Sequence, residues 1–479
     1  MNLTFFPRSG AKAETIHDNN DNVSPIKLSG IPYIETTEND RKEIVLSIYN
    51  SNFALLKEIR EIYLPSGISE LRFLDISRHI NPGTVITKSK NNISGLEFLE
   101  QNYEYDLISP ENLLDKYVGH SVTLIEKDDF SGSKGRLQAE LLSNSREPIF
   151  LIGDEIHIGH PGRIVLPKLP EGLLTEPSLI WKLDATDSGK YTLDVSYLTE
   201  ELNWSADYSL VLNSDNTRGD LLGWVTIKNN SGASFKQARV QLVSGKVARV
   251  REPKPIRFKE ADNYGTFSKG VSEEGIFEYH LYDLPSKMTL KDKEMKQVRL
   301  FSTERIPVKK ELRYYGEQQY YQQRYREDSK TQSIGIYLEF ENRKTFHLGI
   351  PLPEGIIRVY ESDSDGSIQF LGEDNIPHTP EDGTVRVQTG FASDIIAERK
   401  QMEWRKPSAE LIEAVWEIIF KNYKNETAWI VLMESVPGDW EIMESSHHWK
   451  KEDAHTLRFD ASVAPKSEEK IRYKIRIHL

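Results

Sequence analysis

The chain has no cysteine among its 479 residues, which excludes disulfides, thiolate-bound zinc and a cysteine nucleophile together. It does not fix the compartment, since thiol-free proteins suit reducing and oxidising surroundings alike. Long apolar runs are missing too. None approaches the ~20 residues a membrane-crossing helix needs, so no transmembrane segment is expected. Positive charge is in deficit: 74 acidic against 61 basic residues leave −13, which repels phosphate backbones. The locally basic runs Lys287–Lys296 and Lys309–Arg313 are each interrupted by acids, so no nucleic acid partner is expected. The loops G-x-S-x-G, G-x-x-x-x-G-K-[ST] and G-x-G-x-x-G do not occur, which leaves nucleophilic and nucleotide chemistry without its usual signatures.

What is present is an ordinary globular composition, 38% hydrophobic and 28% charged, in a chain long enough for two to four domains. Its organising stretch is Tyr197 to Asn230, which reads as a hairpin of two long strands. Trp204, Ala206, Tyr208, Leu210 and Leu212 share one period-two face, and Leu222, Trp224, Thr226 and Lys228 another. The intervening NSDNTRGD is rich in turn-tolerant residues. Trp204, Tyr208 and Trp224 are expected in the core or in cross-strand pairs.

Taken in order, residues 1–43 are polar and aperiodic and read as a loose arm, with order expected from Ile44. Residues 44–110 open with three alternating runs, broken at Asn50 to Asn52 and Pro65 to Gly67, which predict three antiparallel strands paired with the central sheet. Over 111–170, Ser109 or Asn112 caps a short helix ending at Gly119. Five brief apolar runs follow with the cadence of a small barrel of SH3 or Sm-like plan. Residues 171–335 make a central β domain with a long exposed loop from Arg249 to Gly275, and a strand pair joining Phe277, Tyr279 and Leu281 to Gln297 through Phe301. Residues 336–479 hold at least seven runs, FHLGIPLP among them, and predict an immunoglobulin-like sandwich. In the last run Ile471, Tyr473, Ile475 and Ile477 face one way and Arg472, Lys474, Arg476 and His478 the other. The fold class is thus mainly β, with several antiparallel domains.

The run W-x-A-D-Y from Trp204 to Tyr208, GWVTIKNNSGASF from Gly223 to Phe235, and PGDWEIMESSH from Pro437 to His447 resemble the bacterial DUF4139 family. The likeness extends over most of Ile44 to Leu479. Its function is not established, so the resemblance implies β domains and no particular reaction. Members commonly carry a secretory leader; MNLTFFPRSGAKAE is not one, which implies either a removed leader and a periplasmic or extracytoplasmic place, or a cytoplasmic member.

Candidate chemistry is thin. His157 to His160 spell HIGH, but Pro161 and Gly162 follow where a synthetase needs a helix, and on a strand the two imidazoles face opposite ways. His447, His448 and His455 form a second histidine group whose doublet likewise splays apart. No metal and no cofactor is expected. The suggestive feature is aromatic: Tyr314, Tyr315, Tyr320, Tyr321 and Tyr325 lie in a Gln-rich segment read as an exposed loop tip, interleaved with Arg313, Arg324 and Arg326. Tyr and Arg are favoured at protein contacts, which makes Arg313, Tyr314, Tyr315, Tyr320, Tyr321, Arg324 and Tyr325 a candidate surface for a protein partner or self-association. The expected function is a noncatalytic envelope or surface module. The alternative is a hydrolase with carboxylates or histidines in an interdomain cleft.

Overall fold

The computed structural model describes residues 26–27, 31–90, 95–127, 134–145, 147–159, 162–170, 173–245, 247–249, 280–324, 330–362 and 365–479. Strands dominate and helices are few and short, as the mainly β reading requires. No helix among the described residues is long and apolar enough to cross a membrane. The chain divides into two compact units. Met1–Leu46, Leu55–Glu200 and Ser231–Arg239 form the first; Ser47–Ala54, Glu201–Asn230 and Val240–Leu479 form the second.

Asn50 to Asn52 and Pro65 with Ser66 separate three strands, Arg41–Tyr49, Phe53–Leu64 and Gly67–Phe73, but not the expected antiparallel trio, since the third joins a different sheet from the first two. In the first unit pairing begins before Ile44, because Pro32–Thr36 runs parallel to Gly67–Phe73 and buries Tyr33 and Thr36. On its other side Gly67–Phe73 bonds Ser178–Ala185, which in turn bonds Leu96–Glu104. This unit encloses charge: Glu58 and Arg60 are fully buried. Arg60 Nη2 and Arg41 Nε donate to Glu58 at 2.9 and 2.8 Å, the Tyr197 hydroxyl donates at 3.3 Å, and the Arg60 guanidinium sits 3.6 Å from the Phe73 ring centre. Burial pushes the Glu58 carboxyl up, but the Arg60 and Arg41 charges outweigh it and hold the group below its ordinary value.

Ser109 caps the helix Pro110–Lys116, its hydroxyl accepting the Asn112 N–H at 3.0 Å. Five strands follow: Ser121–Lys127, Lys134–Ser143, Ile149–Ile152, Glu155–Ile158 and Arg163–Val165. They form an antiparallel sheet over Tyr117, Val122, Leu124, Leu141 and Phe150, but not the closed SH3 or Sm-like barrel expected. Closure needs the two edge strands to bond one another. Arg163–Val165 bonds Ser121–Lys127 instead, and Glu155–Ile158 is left as an edge.

In the second unit the hairpin forms as read, with strands Leu202–Leu212 and Arg218–Asn229. The Asn213 side-chain oxygen accepts the N–H groups of Thr217 and Arg218 at 3.0 Å each and closes the turn. That turn sets the register Trp204 opposite Ile227 and Tyr208 opposite Gly223. The buried hydrophobic residues of the second strand are Leu221, Val225 and Ile227; Trp224 pairs with Asp207 on the opposite face from Trp204. Gly223 has a steric reason, since the Phe301 ring lies 2.5 Å from where a Cβ would stand. Gly355–Ser362, parallel to the first strand, then Ile368–Ile376, and on the other side Glu294–Pro307, complete five strands. Phe277 and Tyr279 lie outside the described residues, as does the expected loop from 250 onward. His280–Asp283 bonds Gln241 to Ser244 rather than Gln297 to Phe301.

Lys309–Gly316, Lys330–Glu341 and the strands from Thr384 to His478 form one nine-stranded path rather than the two sheets of an immunoglobulin sandwich. A 25-residue strand, Thr384–Ser408, bonds Lys330–Glu341 through its first part and Leu411–Asn422 through its last. The path curls over one core, because Phe459 and Tyr473, on strands far apart in it, meet at 5.3 Å. Ile471, Tyr473, Ile475 and Ile477 are buried as the alternation predicted. FHLGIPLP is not a strand: a 3-10 turn, Lys344–Phe346, ends at His347 with φ 57°, and Gly349 at φ +83° and two prolines continue the break.

Candidate functional site

Alternation along Lys309–Gly316 separates the sequence-predicted residues into two sets. Tyr314 turns into the core and meets Phe420 edge-on at 5.9 Å. Lys309, Glu311, Arg313 and Tyr315 take the other face. After the strand, Gln319–Gln322 forms a single helical turn rather than a loop tip and buries Tyr320 and Tyr321. Arg324 is exposed, and Tyr325 lies outside the described residues.

The inward set surrounds a charge. Arg399, nearly inaccessible, pairs with the fully buried Glu434 and packs its guanidinium 4.7 Å from the Tyr320 ring and 5.0 Å from that of Trp416. The Tyr321 hydroxyl donates to Glu434 at 3.1 Å and takes a 2.8 Å hydrogen bond from Tyr473. Burial drives the Tyr321 and Tyr473 hydroxyls well above their ordinary range. For Arg399 burial opposes the charge, yet Glu434 wins and keeps the guanidinium ionised. Gly316 is required here, since a Cβ would overlap the Glu434 carboxylate and Arg399. The group is sealed, so it pins the helical turn to the sheet and reaches no solvent-borne substrate.

The outward set continues across neighbouring strands. Arg313 is paired with Val431 and Tyr315 with Met433 on the parallel strand Ala428–Ser435. On the other side Arg313 meets Gly335 and Glu311 meets Tyr337; beyond these lie Phe391, Gln388 and Arg386. Trp429 shares the parity of Val431 and is 70% exposed, Phe391 is 64% exposed and Tyr315 44%. The Tyr337 ring lies over bare Gly335, 2.6 Å from a would-be Cβ, 5.8 Å from Tyr315 and 5.8 Å from the Arg313 guanidinium. Its hydroxyl donates to Gln388 at 3.1 Å. Three inter-strand steps of about 4.8 Å make the face about 14 Å wide from the Trp429 strand to the Phe391 strand.

The charges on this face are already matched. Arg313 Nε donates to Glu311 at 2.6 Å, Lys309 reaches Glu311 at 2.6 Å, and Arg313 and Arg386 converge on Glu339 at 3.2 and 2.9 Å. Burial raises the Glu311 carboxyl, but hydrogen bonds from Lys309 and Arg313 bring it below its ordinary value. Such a carboxylate is a poor proton acceptor near neutral pH. What the face offers is flat aromatic surface between neutralised, oriented charges, the composition of protein contact hot spots.

Sequence reasoning found Arg313 and Tyr315 here and missed Trp429, Phe391 and Tyr337. For Trp429 the signal was legible: in AWIVLMES, with Ala428, Ile430 and Leu432 inward, the tryptophan must point out. Neither histidine group read from the sequence forms a metal site among the described residues; the rings that do meet are His280 and His378, stacked at 4.2 Å. His157 stands 3.7 Å from Glu155, His160 lies outside the described residues, and His447 stands 3.3 Å from Glu469. Among the described residues no three His, Asp or Glu side chains form a metal-binding group. An open cleft of about 670 Å³ at the hairpin tip holds Asp220 and Glu304 beside Arg218 and Arg305, but Asp220 already accepts the Arg305 N–H at 2.9 Å.

Fold and face together define a multi-sheet β protein with charge pairs locked inside and an aromatic surface outside. The chain belongs to the family described as "Domain of unknown function (DUF4139)", which it matches over residues 193–479. The match takes in Trp204 to Phe235 and Pro437 to His447 and does not extend to the likeness read from Ile44 onward. No curated protein matches the chain.

Proposed function

We propose that the chain is a noncatalytic β module of the cell envelope or surface that binds a protein partner through the face of Trp429, Phe391, Tyr337, Tyr315 and Arg313. The observation that carries this reading is Trp429, a large indole 70% exposed beside Glu311 and Arg313 on a rigid strand. An aromatic held on a sheet loses little freedom when covered, so its burial favours association. Glu311 and Arg313 beside it are themselves nearly covered, so the paired charges hold the strands that present the indole. The test is recovery of bound protein from fractionated cells of the native host, with the chain and with its Trp429→Ala/Phe391→Ala variant as bait. A partner from the envelope fraction that the variant loses supports the reading. Equal recovery by both baits, or a partner confined to the soluble fraction, removes it.

A further inference from the structure

We infer that the cleft at the hairpin tip takes a short zwitterionic peptide, its carboxylate held by Arg218 and Arg305 and its ammonium by Asp220 and Glu304. The cleft, about 670 Å³, lies within the second unit where Leu202–Leu212, Arg218–Asn229 and Glu294–Pro307 end beside one another. Ser214 and Ser362 add hydroxyls to its wall. A bulge shapes it. Gly219 pairs with Ile306 and Leu221 with Thr303, so Asp220 alone faces both Glu304 and Arg305. Arg305 takes φ 58°, a left-handed conformation that an arginine rarely adopts, and Asp220 holds it there by accepting its N–H at 2.9 Å. Strict alternation would turn one of Glu304 and Arg305 inward; the bulge leaves both exposed. Backbone strain of this kind clusters at binding sites.

The second observation is that the charges stay apart. Two guanidiniums and two carboxylates line one cleft, yet none of the four forms an ion pair among the described residues. Arg358 and Arg386, on outward strand faces of the same unit, do reach carboxylates, at 3.1 and 2.9 Å. A ligand of one sign would be repelled by half of the cleft, whereas a ligand carrying both signs finds a counter-charge for each. The strand sets its length. Arg218 and Asp220 stand two residues apart and so share a face, about 7 Å from one another along the strand. An extended dipeptide spans about 7 Å, so its ammonium reaches Asp220 as its carboxylate reaches Arg218. A single amino acid is too short to meet both.

Ligand-observed NMR on the full chain near neutral pH, titrated with alanyl-alanine, tests this. The dipeptide should bind saturably at millimolar concentration. N-acetyl-alanyl-alanine, which lacks the ammonium, and alanyl-alaninamide, which lacks the carboxylate, should each bind at least about tenfold more weakly, because each leaves one charged hydrogen-bond set unmade. Arg218→Gln with Glu304→Gln changes exposed, unpaired side chains, so its melting temperature should match that of the native chain while its dipeptide affinity falls by about tenfold or more. The absence of saturable binding overturns the proposal. So does a capped dipeptide that binds as well as the free one, or acetate or inorganic phosphate that binds as tightly, which would mark a site for anions alone. A double variant that melts and binds like the native chain overturns it as well.

Discussion

Arg399 and Glu434 pose a question of cost, because desolvating two charges takes several kcal/mol per ion and their attraction repays it only with good geometry. Here Tyr321 occupies one Glu434 oxygen and three aromatic rings flank the guanidinium. Removing one member should be worse than removing both. Arg399→Met, which strands a buried carboxylate, is expected to destabilise by about 3–5 kcal/mol. Arg399→Met with Glu434→Leu should recover most of that loss in urea unfolding. His378 supplies a second prediction at this scale. Its ring stacks on His280 at 4.2 Å and neither of its nitrogens has a hydrogen-bond partner. Burial first, and the His280 charge second, push it down to about 4. The unfolded imidazole takes its proton near pH 6.5, so the unfolded state gains protons first. Stability should be full above about pH 6.5 and fall as pH drops toward 4. In melting curves at pH 7 and 5, His378→Phe should show a smaller drop than the native chain.

At the scale of elements, side-chain parity decides which residues stabilise and which stay free for contact. Trp416 is buried on Leu411–Asn422, while Trp429 stands out from Ala428–Ser435. Trp416→Ala should cost about 3–5 kcal/mol through lost packing. Trp429→Ala should stay within about 0.5 kcal/mol; urea midpoints distinguish the two. The same parity governed what could be read beforehand. The last strand was legible because Ile471 to Ile477 alternate strictly with Arg, Lys and His, and the Ser109 cap because its chemistry is local. Trp224, expected in the core or in a cross-strand pair, stands opposite Asp207; because a one-residue change of register inverts every side chain, only the closed turn at Asn213 fixes which face that pair takes. Tyr320 and Tyr321 look like loop residues among glutamines; what buries them is Arg399, some 78 positions further along the sequence, a contact no local pattern announces. FHLGIPLP failed as a strand for a reason present in its own letters, Gly349 and two prolines.

At the scale of the whole chain, each unit encloses a fully buried glutamate that is paired with arginine and takes a tyrosine hydroxyl as donor: Tyr197 to Glu58 in the first and Tyr321 to Glu434 in the second. These groups are spent on holding strands together. Trp429 and Phe391 instead stand largely exposed on the outward face, and the proposed function rests on that difference. Radical footprinting of Trp429, Phe391 and Tyr315 tests it most directly, on the chain alone and on the complex recovered from its native host. The account predicts that all three are readily oxidised in the free chain and that Trp429 and Phe391 are protected in the complex. Trp429 oxidised equally in both states would contradict it.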